Sequence, residues 1–154
     1  MVVSEAELMR AVVRDRASGK TVAFANGCFD LLHVGHVRYL QGAAKEADLL
    51  IVAVNDDPSV AALKGPGRPI LPAADRAELV DALGGVAYVV VFSDANVKRL
   101  LTLIRPDVHC KGTDYTIDSV PEREVVRAYG GRTAIVGDSK DHATRDLLKR
   151  IAAL

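Results

Sequence analysis

The chain has 154 residues, of which 49% are hydrophobic and 26% charged, and its 20 basic residues balance 20 acidic ones. This profile is typical of one soluble globular domain over residues 1–154, and the balance argues against nucleic acid or an anionic membrane as partner. The apolar runs are too short to cross a bilayer, and no signal-peptide pattern opens the chain. Two cysteines give no disulfide framework, so we expect a cytoplasmic protein.

Helical and strand patterns alternate along the chain. An N-terminal helix is predicted over residues 4–18, with Ser4 as its cap and Glu7 completing a capping box. Strands are predicted at residues 21–25, 48–55, 88–92, 107–111 and 132–136, and further helices at 37–45, from 72 to the glycines at 84 and 85, and at 96–104, 121–129 and 142–153. This alternation predicts an α/β fold with a doubly wound, five-stranded parallel sheet.

The stretch Asn26–His36 lies between the first strand and the helix that follows it. His33 and His36 are three residues apart with Gly35 between them, so both rings can share one face of the helix start. Unpaired amides and the helix dipole there favour an anion, which makes this stretch a predicted phosphate site. A helix cap, a zinc site, or a nucleophilic Cys28 beside His33 are the alternatives.

Polar residues follow the other strands as well, at 55–59, 111–115 and 138–145, with turns predicted at 55–59 and 137–141. The carboxyl ends of parallel strands share one edge of a sheet, where ligands bind. The loop Lys64–Ile70 contains two glycines and two prolines; we interpret it as a cationic cover over an anionic ligand, with a plain linker as the alternative. Cations and helix-terminal amides suit a polyphosphate.

Neither a P-loop motif nor a dinucleotide-binding glycine motif occurs in the sequence. The chemistry left is nucleotidyl transfer, in which a phosphate oxygen attacks the α-phosphate of a nucleoside triphosphate in line. Such a reaction needs positioning and charge stabilisation rather than a strong base. His33 and His36 would bind the phosphate oxygens, and Lys64 and Lys111 would neutralise charge. Magnesium would come with the triphosphate, and Asp30 is its candidate protein contact.

The segment Gly27–His36 resembles the signature of the cytidylyltransferase-like nucleotidyltransferase superfamily. Within that superfamily, the chain resembles the adenylyltransferases of ADP-heptose synthesis at residues 26–30, 52–60, 63–70, 105–107, 111–115 and 128–131. The similarity covers about residues 20–152, the expected catalytic core. It implies a Rossmann-like fold of the His-x-Gly-His nucleotidyltransferase type, with helices on both faces of the sheet.

The resemblance implies transfer of AMP from ATP, with Mg²⁺, to D-glycero-D-manno-heptose 1-phosphate, giving ADP-heptose and pyrophosphate. It also implies a homodimer and, because no sugar kinase is fused to the sequence, a stand-alone form. The predicted catalytic residues are His33, His36, Lys64 and Lys111. The predicted nucleotide- or phosphate-binding residues are Asn26, Gly27, Cys28, Phe29, Asp30, Gly35, Gly112, Asp114, Thr144 and Arg145. The predicted sugar-phosphate-binding residues are Asn55, Asp56, Arg68, Arg76 and Tyr115.

The sequence departs from the family pattern at the start of the last helix. The family has Ser-Thr-Thr where this chain has Ala143-Thr144-Arg145, and Thr113 replaces a common glycine. Because Arg145 adds a cation, the acceptor or its anomer could differ from the family norm. A cytidylyltransferase acting on glycerol 3-phosphate or another small phosphate, and a non-catalytic nucleotide-binding module, are the alternative functions.

Overall fold

Residues 1–139 and 142–154, which the computed structural model describes, fold around one sheet of five parallel strands. The strands are β1 (Val22–Gly27), β2 (Leu49–Asn55), β3 (Tyr88–Phe92), β4 (Val108–Lys111) and β5 (Arg132–Ile135). Their order in the sheet is β3-β2-β1-β4-β5 and every neighbouring pair is parallel. The predicted five-stranded α/β fold is therefore confirmed. Lys140 and Asp141, which end the predicted turn at 137–141, lie outside the described residues.

Seven α-helices connect and cover these strands in the described part of the chain. They are α1 (Glu5–Ala17), α2 (Val34–Ala44), α3 (Asp57–Lys64), α4 (Ala73–Asp81), α5 (Lys98–Ile104), α6 (Arg123–Ala128) and α7 (Thr144–Ala152), with a 3₁₀ turn at Ile117–Ser119. The predicted capping box of α1 is present, since Ser4 and Glu7 each accept the other's backbone N–H.

The predicted polar turn at 55–59 is wrong, because α3 begins there. The carboxylate of Asp56 accepts the backbone N–H of Ser59 at 2.9 Å and caps the helix. Pro58 lies in the first turn, where a missing N–H leaves no hydrogen bond broken. The polar, proline-containing sequence that suggested a turn is thus a helix start.

Two apolar clusters form the core, one on each face of the sheet. Alternate residues of β1 point to opposite faces: Ala23 and Ala25 join one cluster with Leu40 of α2 and Val80 of α4. Phe24 joins the other cluster, to which α1, α5 and α6 contribute residues. Helices therefore cover both faces, as predicted, and the strands between them are buried almost throughout.

The strand order reverses at β1, which has β2 on one side and β4 on the other. In open α/β sheets, ligands bind outside the carboxyl ends of the strands at such a reversal point. Here the segment after Gly27 and the segment after Lys111 leave the sheet at that point. The fold thus brings the histidine motif and the lysine-containing segment to the same crevice.

Candidate active site

A cavity of about 700 Å³ opens at the carboxyl ends of β1 and β4. It is lined by all the predicted catalytic and nucleotide-binding residues and by three of the five predicted sugar-phosphate residues. The predicted residues on its wall are Asn26, Gly27, Cys28, Phe29, Asp30, His33, Gly35, His36, Asn55, Lys64, Arg68, Lys111, Gly112, Asp114, Tyr115, Thr144 and Arg145. Tyr39, Asp138 and His142 also line it, although none of them is among the predicted site residues.

His33 and His36 are held by the backbone at the start of α2. The Nδ1 of His33, the N-cap residue, accepts the backbone N–H of Gly35 at 3.1 Å. The Nδ1 of His36 accepts the backbone N–H of His33 at 3.3 Å. The two rings stack with their centroids 3.9 Å apart. Because both Nδ1 atoms are acceptors, each neutral ring carries its proton on Nε2, which remains available as a donor.

Both imidazoles are neutral at neutral pH. Burial lowers the pKa of His36 to about 4, and the neighbouring His33 and Lys64 act in the same direction. The pKa of His33 is also lowered, by burial and then by His142. Protonation would place a proton on the Nδ1 atoms that now accept backbone N–H groups, so the geometry and the pKa shifts agree. The pair can therefore donate hydrogen bonds to an anion without carrying charge.

Gly35 is required by the close approach of the His33 ring. A Cβ at this position would lie 2.9 Å from Cε1 and 3.0 Å from Nδ1 of His33, and 3.3 Å from the Cβ of His142. These distances are shorter than ordinary carbon contacts, so a side chain here would displace the imidazole. The glycine in the His-x-Gly-His motif thus keeps His33 folded over the helix start.

Asp30 anchors the segment between β1 and α2. Its carboxylate accepts the Nε–H of Arg68 at 2.7 Å and the backbone N–H groups of Ile70 and Leu71 at 2.9 and 3.1 Å. Burial opposes its ionisation, but the hydrogen bonds from Ile70, Arg68 and Leu71 outweigh burial and lower the pKa of Asp30. A negative charge held by three donors in this way fixes the loop 65–71 against the histidine segment.

The predicted magnesium contact of Asp30 does not fit this arrangement. Its side chain is 1% exposed and its oxygens are engaged by Arg68 and the two amides. Within residues 1–139 and 142–154, no group of three or more His, Cys, Asp or Glu residues could hold a metal ion. Asp30 therefore acts as a structural anchor, because its oxygens are already hydrogen-bonded within the protein.

The segment around Asp30 has an unusual backbone. Phe29 and Leu31, on either side of it, have φ angles of 50° and 54°, in the left-handed region that non-glycine residues rarely adopt. Phe29 is 3% exposed and its ring lies against that of His36, with centroids 5.4 Å apart. Thr144 of α7 donates its hydroxyl to the backbone oxygen of Asp30 at 2.9 Å. Packing and hydrogen bonds together hold the strained segment and the start of α7.

Arg76 and Asp56, two predicted sugar-phosphate residues, are not among the described residues on the cavity wall. Arg76 is fully buried; its guanidinium donates to the backbone oxygens of Leu71, Cys28 and Asn55 and to the carboxylate of Asp57. It joins three segments from beneath the site and has no donor directed to a ligand. Asp56 caps α3. Sequence position placed both residues at the correct edge, but the Arg76 side chain is buried beneath the site and the Asp56 carboxylate is engaged in the helix cap.

The cations are positioned by the ends of two regular elements. Lys64 is the last residue of α3, and Lys111 is the last residue of β4. Lys111 is 9% exposed, and its Nζ lies 4.7 Å from the ring centroid of Tyr115. Burial lowers its pKa, although Glu122 and Asp114 oppose that effect. The two lysines and Arg68 line the same cavity as the histidine donors.

Cys28 lacks the surroundings of a nucleophile. Its pKa is raised, chiefly by burial, and its Sγ lies 3.9 Å from the side-chain oxygen of Asn55. A thiolate would need the opposite shift. The cavity therefore favours direct transfer between two bound phosphates over a covalent intermediate.

Comparisons with known proteins agree with this geometry. A family model described as Cytidylyltransferase-like matches residues 24–151. The chain belongs to the cytidylyltransferase-like family. It is a nucleotidyltransferase, as the sequence predicted.

Relatives of this nucleotidyltransferase include proteins named bifunctional protein HldE. The chain is 45% identical over 150 residues to the one from Ectopseudomonas mendocina, covering 97% of the chain and 32% of that protein. It is 44% identical over 146 residues to the one from Syntrophotalea carbinolica, covering 94% of the chain and 30% of the relative. The chain thus spans about a third of the length of these curated relatives.

A solved structure shares the fold. The lipopolysaccharide core biosynthesis protein from Thermoplasma volcanium superposes with a TM-score of 0.63 at 26% identity, covering 76% of this chain and 94% of that one.

Proposed function

We propose that this nucleotidyltransferase transfers AMP from ATP to D-glycero-D-manno-heptose 1-phosphate. The observation that carries the reaction type is the pair of neutral imidazoles beside a lysine-lined cavity, whose Nε2–H groups make no hydrogen bond within residues 1–139 and 142–154. The acceptor is supported by the similarity to the HldE relatives and to a lipopolysaccharide core biosynthesis protein. The products are ADP-heptose and pyrophosphate.

The reaction is a single in-line displacement. An oxygen of the sugar phosphate forms a bond to the α-phosphorus of ATP, while the bond from that phosphorus to the bridging oxygen of pyrophosphate breaks. The acceptor phosphate is already ionised, so no side chain has to remove a proton. His33 and His36 donate to phosphate oxygens, and Lys64 and Lys111 offset the charge of the reacting groups. Because hydrogen bonds within the protein hold the imidazole donors in place, positioning supplies much of the rate.

Three further elements belong to this proposal. Magnesium enters as part of the ATP substrate, because Asp30 is closed to it. The active form is a homodimer, which sedimentation equilibrium would test. A cytoplasmic location is also part of the proposal. In the part of the chain that the structure describes, none of the helices could span a membrane.

The test is pyrophosphate release by the purified protein. ATP and CTP are each paired with both anomers of the heptose 1-phosphate, with other sugar 1-phosphates and with glycerol 3-phosphate. Release only with ATP and a heptose 1-phosphate supports the proposal, and the preferred anomer reports the effect of Arg145. CTP-dependent release with glycerol 3-phosphate would instead assign the protein to the cytidylyltransferases that act on alcohol phosphates. ATP binding without release would instead favour a non-catalytic nucleotide-binding module.

A further inference from the structure

His109 lies behind the cavity wall, in the middle of β4. It is fully buried, with Val108 and Cys110 as its neighbours in the strand. Its ring packs against Phe24 with centroids 5.9 Å apart, and its Nε2 lies 3.1 Å from the side-chain oxygen of Asn26. Burying a polar imidazole costs free energy unless it is hydrogen-bonded. The hydrogen bond to Asn26, a residue of the cavity wall, therefore indicates a role for His109 in the site.

The tautomer of His109 follows from its surroundings. Its Nδ1 is buried and has no hydrogen-bond partner within the described part of the chain. A buried N–H without an acceptor is rarer in proteins than a buried acceptor without a donor. The proton therefore belongs on Nε2, which donates to the Oδ1 of Asn26. Burial, and then Lys111, lower the pKa of His109 to about 3, so the ring stays neutral at neutral pH.

This hydrogen bond fixes the orientation of the Asn26 side chain. With its oxygen turned to His109, the Nδ2 amide group is left for the cavity, which Asn26 lines. Nδ2 makes no hydrogen bond to the residues that the structure describes. The opposite orientation would present a carbonyl oxygen to the cavity, and that oxygen would repel a phosphate.

We propose that His109 is a positioning residue that holds the Asn26 amide as a donor to a phosphate oxygen of the bound nucleoside triphosphate. The proposal rests on the proposed function only in taking a triphosphate as the ligand. Asn26 touches the ligand, and His109 acts through it. His109 thereby adds a third neutral donor to the two imidazoles of α2.

The kinetic test uses His109→Leu, His109→Gln and Asn26→Ala, alone and combined. Loss of one hydrogen bond to a charged group predicts that His109→Leu lowers kcat/KM for ATP about tenfold. The KM for the acceptor should not change. The Asn26 oxygen loses its donor, but Asn26 lies on the cavity wall, where water can replace that donor, so stability should change little. Glutamine can place its Nε2 near the position of the imidazole Nε2, so His109→Gln should restore most of the activity.

Coupling between the two residues is decisive. If His109 acts through Asn26, His109→Leu should cause no further loss in the Asn26→Ala background. Multiplicative losses in the double variant, or an equal loss in His109→Gln and His109→Leu, would overturn the proposal.

A direct measurement does not depend on turnover or on the acceptor. Long-range ¹H–¹⁵N spectra of the labelled protein at pH 7 should show His109 protonated at Nε2 and bare at Nδ1, with His109→Gln identifying the signals. ATP should shift the Nδ2 amide signals of Asn26. A proton on Nδ1, or unshifted amide signals when ATP is bound, would refute the inference even if pyrophosphate release is observed. Absence of pyrophosphate release together with these spectral changes would refute the proposed function alone.

Discussion

Replacing Asp30 with asparagine should destabilise the protein and slow the reaction, although the two side chains have the same shape. Three donors, from Arg68, Ile70 and Leu71, converge on the Asp30 carboxylate. Asparagine offers one acceptor oxygen, and its NH₂ group would face at least one of these donors. Hydrogen bonds to a charged group contribute about 1.5–3 kcal/mol each, so a loss of about 3 kcal/mol in the free energy of unfolding is expected.

The expected loss of activity has a geometric cause. The segment that Asp30 anchors contains the left-handed residues Phe29 and Leu31 and ends at His33. When the anchor is weakened, the strained backbone can relax and move the imidazole donors. A displacement of about 1 Å can lower a rate about 100-fold, so we expect kcat/KM to fall between about 10- and 100-fold.

The measurement is urea unfolding followed by steady-state kinetics, with Asp94→Asn as the control. Asp94 also pairs with an arginine, Arg99, but on the surface, so its replacement should cost less than about 1 kcal/mol. Because the pKa of Asp30 is lowered in the folded state, its contribution is present above the usual aspartate pKa and is lost as the pH falls through the lowered value. The gap between wild type and Asp30→Asn should therefore close in acid.

Two results would refute this account of Asp30. One is a stability loss no larger than that of Asp94→Asn, which would mean that the three hydrogen bonds do not anchor the segment. The other is recovery of Asp30→Asn activity at high magnesium concentration, which would return Asp30 to the role of a metal ligand.

Three further predictions concern the cavity and the side chains beneath it. Gly35→Ala should lower kcat/KM at least tenfold by displacing the His33 ring, whereas Gly84→Ala, with open space around its Cβ, should not; equal effects would contradict the steric argument. His36 is neutral in the folded protein, with a pKa of about 4, so its contribution to stability should be full above the usual histidine pKa and be lost as the pH falls from about 6.5 to 4. The free energy of unfolding should therefore fall more steeply with decreasing pH for the wild type than for His36→Ala across that window, and parallel plots would contradict the pKa shift. Arg76→Met should cost about 3 kcal/mol in urea unfolding, because it leaves buried oxygens unpaired, and Arg127→Met, at an exposed ion pair, should be near neutral.

The parts of the site that the sequence predicts are those fixed by backbone position. Alternating strand and helix patterns give the parallel sheet, and the rule for carboxyl ends places Asn26–His36 and Lys111–Tyr115 at one edge. The cap of α2, predicted only as an alternative to a phosphate site, is also local, because His33 and His36 bond to backbone groups within three residues. Local hydrogen bonds and strand ends can both be recognised in a sequence.

The parts that the sequence does not predict depend on side-chain direction or on distant partners. Arg76 and Asp30 have the charges of ligand-binding residues, but they bond to segments that only the fold brings near. Asp30 meets Ile70 across 40 residues. From the sequence alone, His109 can be assigned only to a strand. Its role depends on its contact with Asn26, which is 83 residues away. No periodicity or motif carries such information.

In the proposed reaction, the two imidazoles at the start of α2 donate hydrogen bonds to the phosphates between which AMP is transferred. ³¹P NMR of ATP, magnesium and the heptose 1-phosphate should show pyrophosphate and a new sugar-nucleotide diphosphate appearing in equal amounts with the wild-type protein. His36→Ala, confirmed as folded, should form neither product on the same time scale, while Gly84→Ala should match the wild type. Full turnover by His36→Ala, or release of AMP without consumption of the sugar phosphate, would contradict the account.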